Sequence, residues 1–258
     1  MSPTPPLPYI PLLRGHYGVD DLRVTWKSIA ESRAPELQQA VDAAWKGLKP
    51  NPHFNGRIAR LEGWAAEDGA LELRLRPTDY KSLLYSNGHV AEIVERWGER
   101  ALSHALGISA LVISADDQLI LMQRSEQVGE YPGCFDVFGG HIDAPTRGSH
   151  PDPFASMAKE LVEELALAVE DYTLRCIGLL RARETHKPEL IFRAHSRLHS
   201  DALLQSAAAA RDRYEYTRLL TLPATAAEIS AFLRQRGERV SPSAFGALEM
   251  FAATLLNF

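Results

Sequence analysis

The spacing of hydrophobic positions changes several times along the chain, and each change marks an element. Between Pro35 and Leu48 the apolar side chains Leu37, Val41, Ala44, Trp45 and Leu48 recur at helical spacing. The Lys49-Pro50-Asn51-Pro52 stretch stops that helix, because proline removes a backbone donor and restricts its neighbour. Residues 57–64 and 71–75 read as alternating strands joined by a Glu67-Asp68-Gly69 turn, which predicts an antiparallel hairpin. A short helix over 78–85 follows, with Thr78 as its N-cap.

Beyond Leu102 the pattern becomes richer in strands. Ile108–Ser114 and Gln118–Gln123 are apolar runs separated by Ala115-Asp116-Asp117 and predict a second hairpin. Cys134–Phe138 predicts a short strand that ends in a tight Gly139-Gly140-His141 loop. Further strands are expected over 173–181, 190–196 and 214–222, with a helix near 199–211 and two terminal helices. The last helix starts at Ser241-Pro242 and carries Phe245, Leu248, Phe251 and Leu255 on one stripe. The chain divides into an N-terminal lobe (1–100) and a larger domain (101–258), and it holds no internal repeat.

The strongest helix signal lies between Asp152 and Leu167. Asp152 can cap it and Pro153 suits its first turn. At about 100° per residue, Phe154, Met157, Leu161 and Leu165 form one stripe that must face a core. Glu160 and Glu164 lie at the edge of that stripe, with Glu163 further round on the same side. Like charges at this spacing repel by a few tenths of a kcal/mol per pair, and partial burial raises the cost. A hard divalent cation such as Mg²⁺ or Mn²⁺ would remove it. The competing explanation is a solvated acidic helix face.

Composition narrows the setting. The net charge of -5 includes no basic stripe, so a nucleic-acid partner is not expected. No apolar run approaches the roughly 18 residues of a membrane span, and the proline-rich start lacks the features of a secretory signal. Its prolines favour an extended arm. Cys134 and Cys176 form no CxxC pair and read as buried free thiols, which fits a cytoplasmic protein. No phosphate-binding glycine loop, nucleophile elbow or HExxH motif is present.

The stretch from Gly139-Gly140-His141 to Lys159-Glu160-Leu161-Val162-Glu163-Glu164-Leu165-Ala166-Leu167 resembles the Nudix box of the Nudix hydrolases. It departs from the family pattern in three ways. Lys159 replaces the arginine, Ala166 replaces the second glycine, and the loop glutamate falls at Thr146 in a segment five residues longer than the family spacing. Asp143 and Asp152 are possible stand-ins for that glutamate. Residues 53–197 are also similar to the UDP-glucose/UDP-galactose pyrophosphatase subgroup. The similarity rests on His53-Phe54-Asn55-Gly56, Leu71–Leu75, Thr78-Asp79-Tyr80, Met122–Ser125, Asp136–His141 and Arg183-Glu184-Thr185.

The resemblance implies an α/β/α sandwich around a mixed sheet, with a small N-terminal α+β lobe covering the substrate. It also implies Mg²⁺-dependent cleavage (Mn²⁺ as an alternative) of a UDP-sugar to UMP and a sugar 1-phosphate, with Glu160, Glu163 and Glu164 as metal-binding and catalytic residues. Phe54, Asn55, Tyr80, Asn87, Arg124, Gly140, His141 and Glu184 are the expected substrate-binding residues. Glu184 and Glu189 are further candidates for general base. Two alternatives stay open at this point. One is a Nudix enzyme for ADP-ribose, a dinucleotide or a coenzyme A derivative; the other is a domain that binds a nucleotide without cleaving it.

Overall fold

The computed structural model describes residues 6–48, 54–145 and 150–256. Its elements in chain order are β1 (Tyr9–Tyr17), β2 (Leu22–Trp26), α1 (Pro35–Gly47), β3 (Arg57–Glu67), β4 (Ala70–Asp79), α2 (Tyr80–Gly88), α3 (Val90–Trp97), β5 (Gly107–Ile113), β6 (Gln118–Arg124), β7 (Phe135–Asp136) and β8 (Phe138–His141). They continue with α4 (Pro153–Leu165), β9 (Tyr172–Ala182), β10 (Pro188–Ser196), α5 (Ser200–Ser206), β11 (Tyr216–Pro223), α6 (Ala226–Arg236) and α7 (Pro242–Leu255).

The main sheet runs β1-β9-β10-β5-β6-β11, with β7 paired to β6 and β8 to β5. It is mixed: β10 and β5 are parallel, and the other pairings are antiparallel. Side chains alternate across it with period two. Ile108, Ala110, Val112, Ile120, Met122, Leu190 and Phe192 face a core shared with Met157, Leu161 and Leu165 of α4. Leu111, Ile113, Leu119, Leu121 and Ile191 face the other way, onto Ile229 of α6 and Ala247, Leu248 and Phe251 of α7. This is the α/β/α layering expected from the sequence.

The three-stranded sheet β2-β4-β3 lies on the α4 side. Its inward residues Leu71, Leu73 and Leu75 join the same core as α4. β3 is tied to the chain that leaves β8: Ala59 N–H donates to Ile142 O at 2.7 Å and Ala144 N–H to Arg57 O at 3.0 Å. The segment that begins the expected N-terminal lobe contributes β1, which pairs with β9 at the edge of the main sheet. Among the described residues no helix is long and apolar enough to cross a membrane.

Several local expectations need correction. β1 and β2 were not anticipated, because their alternation is broken by Pro11, Gly15 and a short polar turn. The cap of α2 is Asp79 rather than Thr78; its carboxylate accepts from Ser82 N–H at 3.0 Å, whereas Thr78 lies within β4, paired with Ile58. Gly139-Gly140-His141 is strand rather than loop, paired residue by residue with Gly107–Ser109. The helix after β10 spans only Ser200–Ser206 and tightens into a 3-10 turn. The proposed break at 49–52, residue His53 and Thr146 lie outside the described residues.

α4 begins as its sequence dictates, with Asp152 accepting from Phe154 and Ala155 N–H at 2.9 and 3.0 Å. It ends at Ala166, whose φ of 52° and ψ of 34° are left-handed. An alanine held there costs on the order of 1 kcal/mol relative to glycine. Ala166→Gly is therefore expected to raise stability by about 1 kcal/mol, measured as a higher urea midpoint at unchanged slope. A lower midpoint would contradict this reading of the helix end.

Candidate active site

The site sits where the main sheet splits. β5 pairs with β6 only through Val112 and Ile113; its other half, Gly107–Ala110, pairs with β8. β7 stays with β6. The chain crosses the split at Val137, and a cleft of about 430 Å³ opens there. That volume lies within the range of small-molecule sites.

α4 closes one side of the cleft. Glu164 is only 1% exposed. Its Oε2 accepts from Gly139 N–H at 2.8 Å, while its buried Oε1 has no hydrogen-bond partner among the described residues. Glu160, one turn earlier, lines the cleft against Gly140: a Cβ on Gly140 would come within 2.5 Å of Glu160 Oε1. A Cβ on Gly139 would strike the carbonyl of Ile108 in β5. The two glycines thus let a strand, a helix carboxylate and a second strand meet at backbone distance.

The electrostatics of this wall are unfavourable when it stands alone. Burial pushes the Glu160 carboxyl up to about 7; Lys159 opposes the shift, and Glu163, Glu215 and Asp143 add to it. Burial, with Glu160 and Glu215 nearby, raises Glu164 well above the ordinary carboxylate range, against the opposing pull of Arg124 and Gly139 N–H. Such groups favour a proton, or a cation in its place.

The other expected residues are placed as follows. Glu163 turns aside and pairs with Arg211 at 2.7 Å. Arg124 lines the cleft, fixed by Asp136 Oδ2 at 3.2 Å and by Glu130 O, which accepts from its Nε at 3.0 Å. His141 and Tyr80 line it too, ring edge to ring face with centroids 6.1 Å apart. Phe54 lines the rim and is 87% exposed. Asn55 accepts from Lys81 N–H at 2.9 Å and so fastens the start of α2. Asn87 reaches the cleft indirectly, donating to Glu130 Oε1 at 2.9 Å. Glu184 is exposed in the turn between β9 and β10 and is not among the cleft-lining residues. Of the possible stand-ins for the loop glutamate, Asp152 is spent as a helix cap and Asp143 pairs with Lys159 at 2.8 Å.

Sequence reasoning missed Glu130, Asp136, Lys187 and Glu215, all of which line the cleft. Glu215 is brought in by Tyr216, whose hydroxyl donates to Glu164 O at 3.1 Å and locks β11 to the end of α4. Asp136 accepts from Ser241 Oγ at 2.6 Å and Val137 N–H at 2.9 Å, tying α7 to the cleft floor. Lys187 lies between Glu130 and Glu189, at 3.0 and 3.3 Å. Glu130, Lys187 and Glu215 belong to short polar stretches without periodicity, and Asp136 is the lone acid of a short apolar strand, so only the pairing of distant segments reveals what they meet.

Among the described residues no three His, Cys, Asp or Glu side chains form a closed metal cage. Mg²⁺ is usually held by one or two carboxylates together with water and substrate phosphates. Glu160 in the cleft lining and Glu164, one helical turn on with an unpartnered buried Oε1, are two carboxylates on one side of α4.

No protein-family model matches the chain. It is 25% identical over 227 residues to Nudix hydrolase 9 of Arabidopsis thaliana, covering 73% of this chain and 72% of that protein. It is 33% identical over 162 residues to the human uridine diphosphate glucose pyrophosphatase NUDT22, covering 52% of this chain and 54% of that protein. The match thus spans about half the length of that relative. A solved mutT/nudix family protein from Listeria innocua aligns over 59% of this chain and 94% of its own, at 17% identity and a TM-score of 0.42.

The raised carboxyl of Glu160 has a consequence for the metal-free protein. Its stabilising contribution is fully present below the ordinary value of 4.5 and is lost as pH rises through about 7. In EDTA, the Tm of the wild type should fall more than that of Glu160→Gln between about pH 5 and pH 8. Parallel curves would show that Glu160 is solvated like any surface carboxylate.

Proposed function

We propose that this chain, which is similar to Nudix hydrolases, hydrolyses the diphosphate of a UDP-sugar to UMP and a sugar 1-phosphate with the help of Mg²⁺. The observation that carries the proposal is the Gly139–Glu164 contact, which leaves one buried carboxylate oxygen unpartnered one helical turn from Glu160, which lines the cleft. The partial identity to the human UDP-glucose pyrophosphatase supports the choice of nucleotide and sugar.

In this reading Glu160 and Glu164 hold the cation on the α4 wall. When bound, a divalent ion offsets charge on the diphosphate oxygens and lowers the pKa of a coordinated water. The protein supplies the rest. Arg124, whose orientation is fixed by Asp136 and Glu130 O, presents a guanidinium to the anionic substrate. Glu163, drawn to Arg211, acts from the outer edge through water or releases Arg211 when the site fills. Tyr80 and Phe54 offer aromatic surface to the uracil, and the N-terminal lobe contributes them to nucleotide binding. Of the two base candidates, Glu184 does not line the cleft and Glu189, which does, is already engaged by Ser109 and Lys187, so neither is assigned as the base. The ligand is a small molecule; the acidic cleft does not suit a polyanionic nucleic acid.

The test is product identification after incubation with Mg²⁺ and a panel of UDP-sugars, ADP-ribose, dinucleotides and coenzyme A derivatives. UMP and sugar 1-phosphate are the expected products, and Glu164→Gln should lower kcat by at least about a hundredfold while remaining folded. Products from ADP-ribose alone would overturn the substrate assignment. Normal turnover by Glu164→Gln would overturn the metal assignment.

A further inference from the structure

The cleft has a second wall that the hydrolytic chemistry does not use. It consists of Glu130, Lys187 and Glu189, together with Ser109 and His141, and it faces the space next to α4. Two of the three charged residues are buried, Lys187 at 9% and Glu189 at 6% exposed, and the Glu130 side chain is nearly so at 10%. Burying a lysine between two glutamates is costly unless each charge is answered. Here Lys187 Nζ donates to both oxygens of Glu130, at 3.2 and 3.0 Å, and lies 3.3 Å from Glu189 Oε2.

The accounting of donors and acceptors is lopsided. The Lys187 ammonium is engaged by both carboxylates. Glu130 also accepts from Asn87 at 2.9 Å and has His141 Nε2 at 3.3 Å, so its acceptor sites are largely filled. Glu189 accepts one hydroxyl, from Ser109 Oγ at 2.6 Å, and has the single ammonium contact. A carboxylate offers about four lone-pair sites. Glu189 therefore keeps acceptor capacity in the cleft, and it is held in place by Ser109 of β5 and by Lys187 just before β10. Room is made for it at Gly107, where a Cβ would collide with its carboxyl group.

An acceptor of this kind selects among the parts of a nucleoside diphosphate sugar. Phosphate oxygens carry no donor and are repelled. Uracil offers a single N–H flanked by two carbonyls. The sugar presents several hydroxyls, each able to donate. We propose that Glu189 is a specificity-determining residue that accepts a hydrogen bond from a hydroxyl of the glycosyl group, with Lys187, Glu130 and Ser109 as its positioning residues. The strained backbone of Tyr131, at φ 47°, belongs to the turn that delivers Glu130 beneath Lys187. Non-glycine residues are kept in that region only where the surroundings hold them. This inference rests on the UDP-sugar reading above.

The experiment compares kcat/KM for UDP-glucose with that for analogues each lacking one glucose hydroxyl, in wild type, Glu189→Gln and Ser109→Ala. In wild type, removing the recognised hydroxyl should cost on the order of tenfold to a hundredfold, the range of a hydrogen bond to a charged acceptor. Glu189→Gln should lose a similar factor on UDP-glucose and little more on that one analogue, so that the two losses do not multiply. Ser109→Ala should shift selectivity the same way by a smaller factor, and it carries the test if Glu189→Gln does not fold. A uniform loss on every substrate, with selectivity unchanged, would overturn the proposal. So would a wild type that cleaves UDP-glucose without regard to which hydroxyl is missing. A wild type that cleaves no UDP-sugar at all would overturn the substrate reading together with it.

Discussion

The site depends on one hydrogen bond, from Gly139 N–H to the buried carboxylate of Glu164. It can form only because β5 gives half its length to β8 and half to β6, which opens the sheet and lets α4 approach the β8 backbone. Leu161 and Leu165 of α4 hold that approach from the core side, and Tyr216 and Ser206 fasten the end of the helix through Glu164 O and Leu165 O. The apolar stripe and the acidic edge of α4 are therefore one device. The stripe fixes the helix, and the edge is forced against the split.

That arrangement places more negative charge in the cleft than its cations answer. Glu160, Glu164 and Glu215 stand together, with Arg124 as the cation facing them, and both helix carboxyls are raised by burial. The opposite wall solves the same problem internally. Burial opposes ionisation of Glu130, but Lys187 and His141 outweigh it and keep the group charged, well below the ordinary range. On one wall the fold supplies a buried ammonium to its carboxylates, although burial still raises Glu189, and the other wall is left for a ligand to neutralise. A divalent cation with a diphosphate answers this asymmetry on the α4 side, and the settled wall is free to discriminate.

Much of this was legible in the chain. The period of Phe154, Met157, Leu161 and Leu165 located α4 to within a residue or two, and Asp152-Pro153 gave its start. Capping by Ser241 and the alternating runs of β5 and β6 were equally plain. The three glutamates were visible as a set, but helical spacing could not show that Glu163 would meet Arg211, a partner far along the chain. Gly139-Gly140 looked like a turn because glycine pairs usually are; its role is steric, and it depends on strands that meet only in three dimensions. Glu130 and Lys187 escaped notice for the same reason. Each is an unremarkable polar residue until the β6–β7 loop and β10 bring them together.

The most direct test of the central claim is a Mn²⁺ titration followed by electron paramagnetic resonance, with and without a non-hydrolysable UDP-sugar analogue. If Glu160 and Glu164 form a half-built cation seat that the diphosphate completes, the wild type binds Mn²⁺ weakly alone and tightly with the analogue. Glu164→Gln then loses both. Equal Mn²⁺ binding by wild type and Glu164→Gln, or no effect of the analogue, would contradict the account.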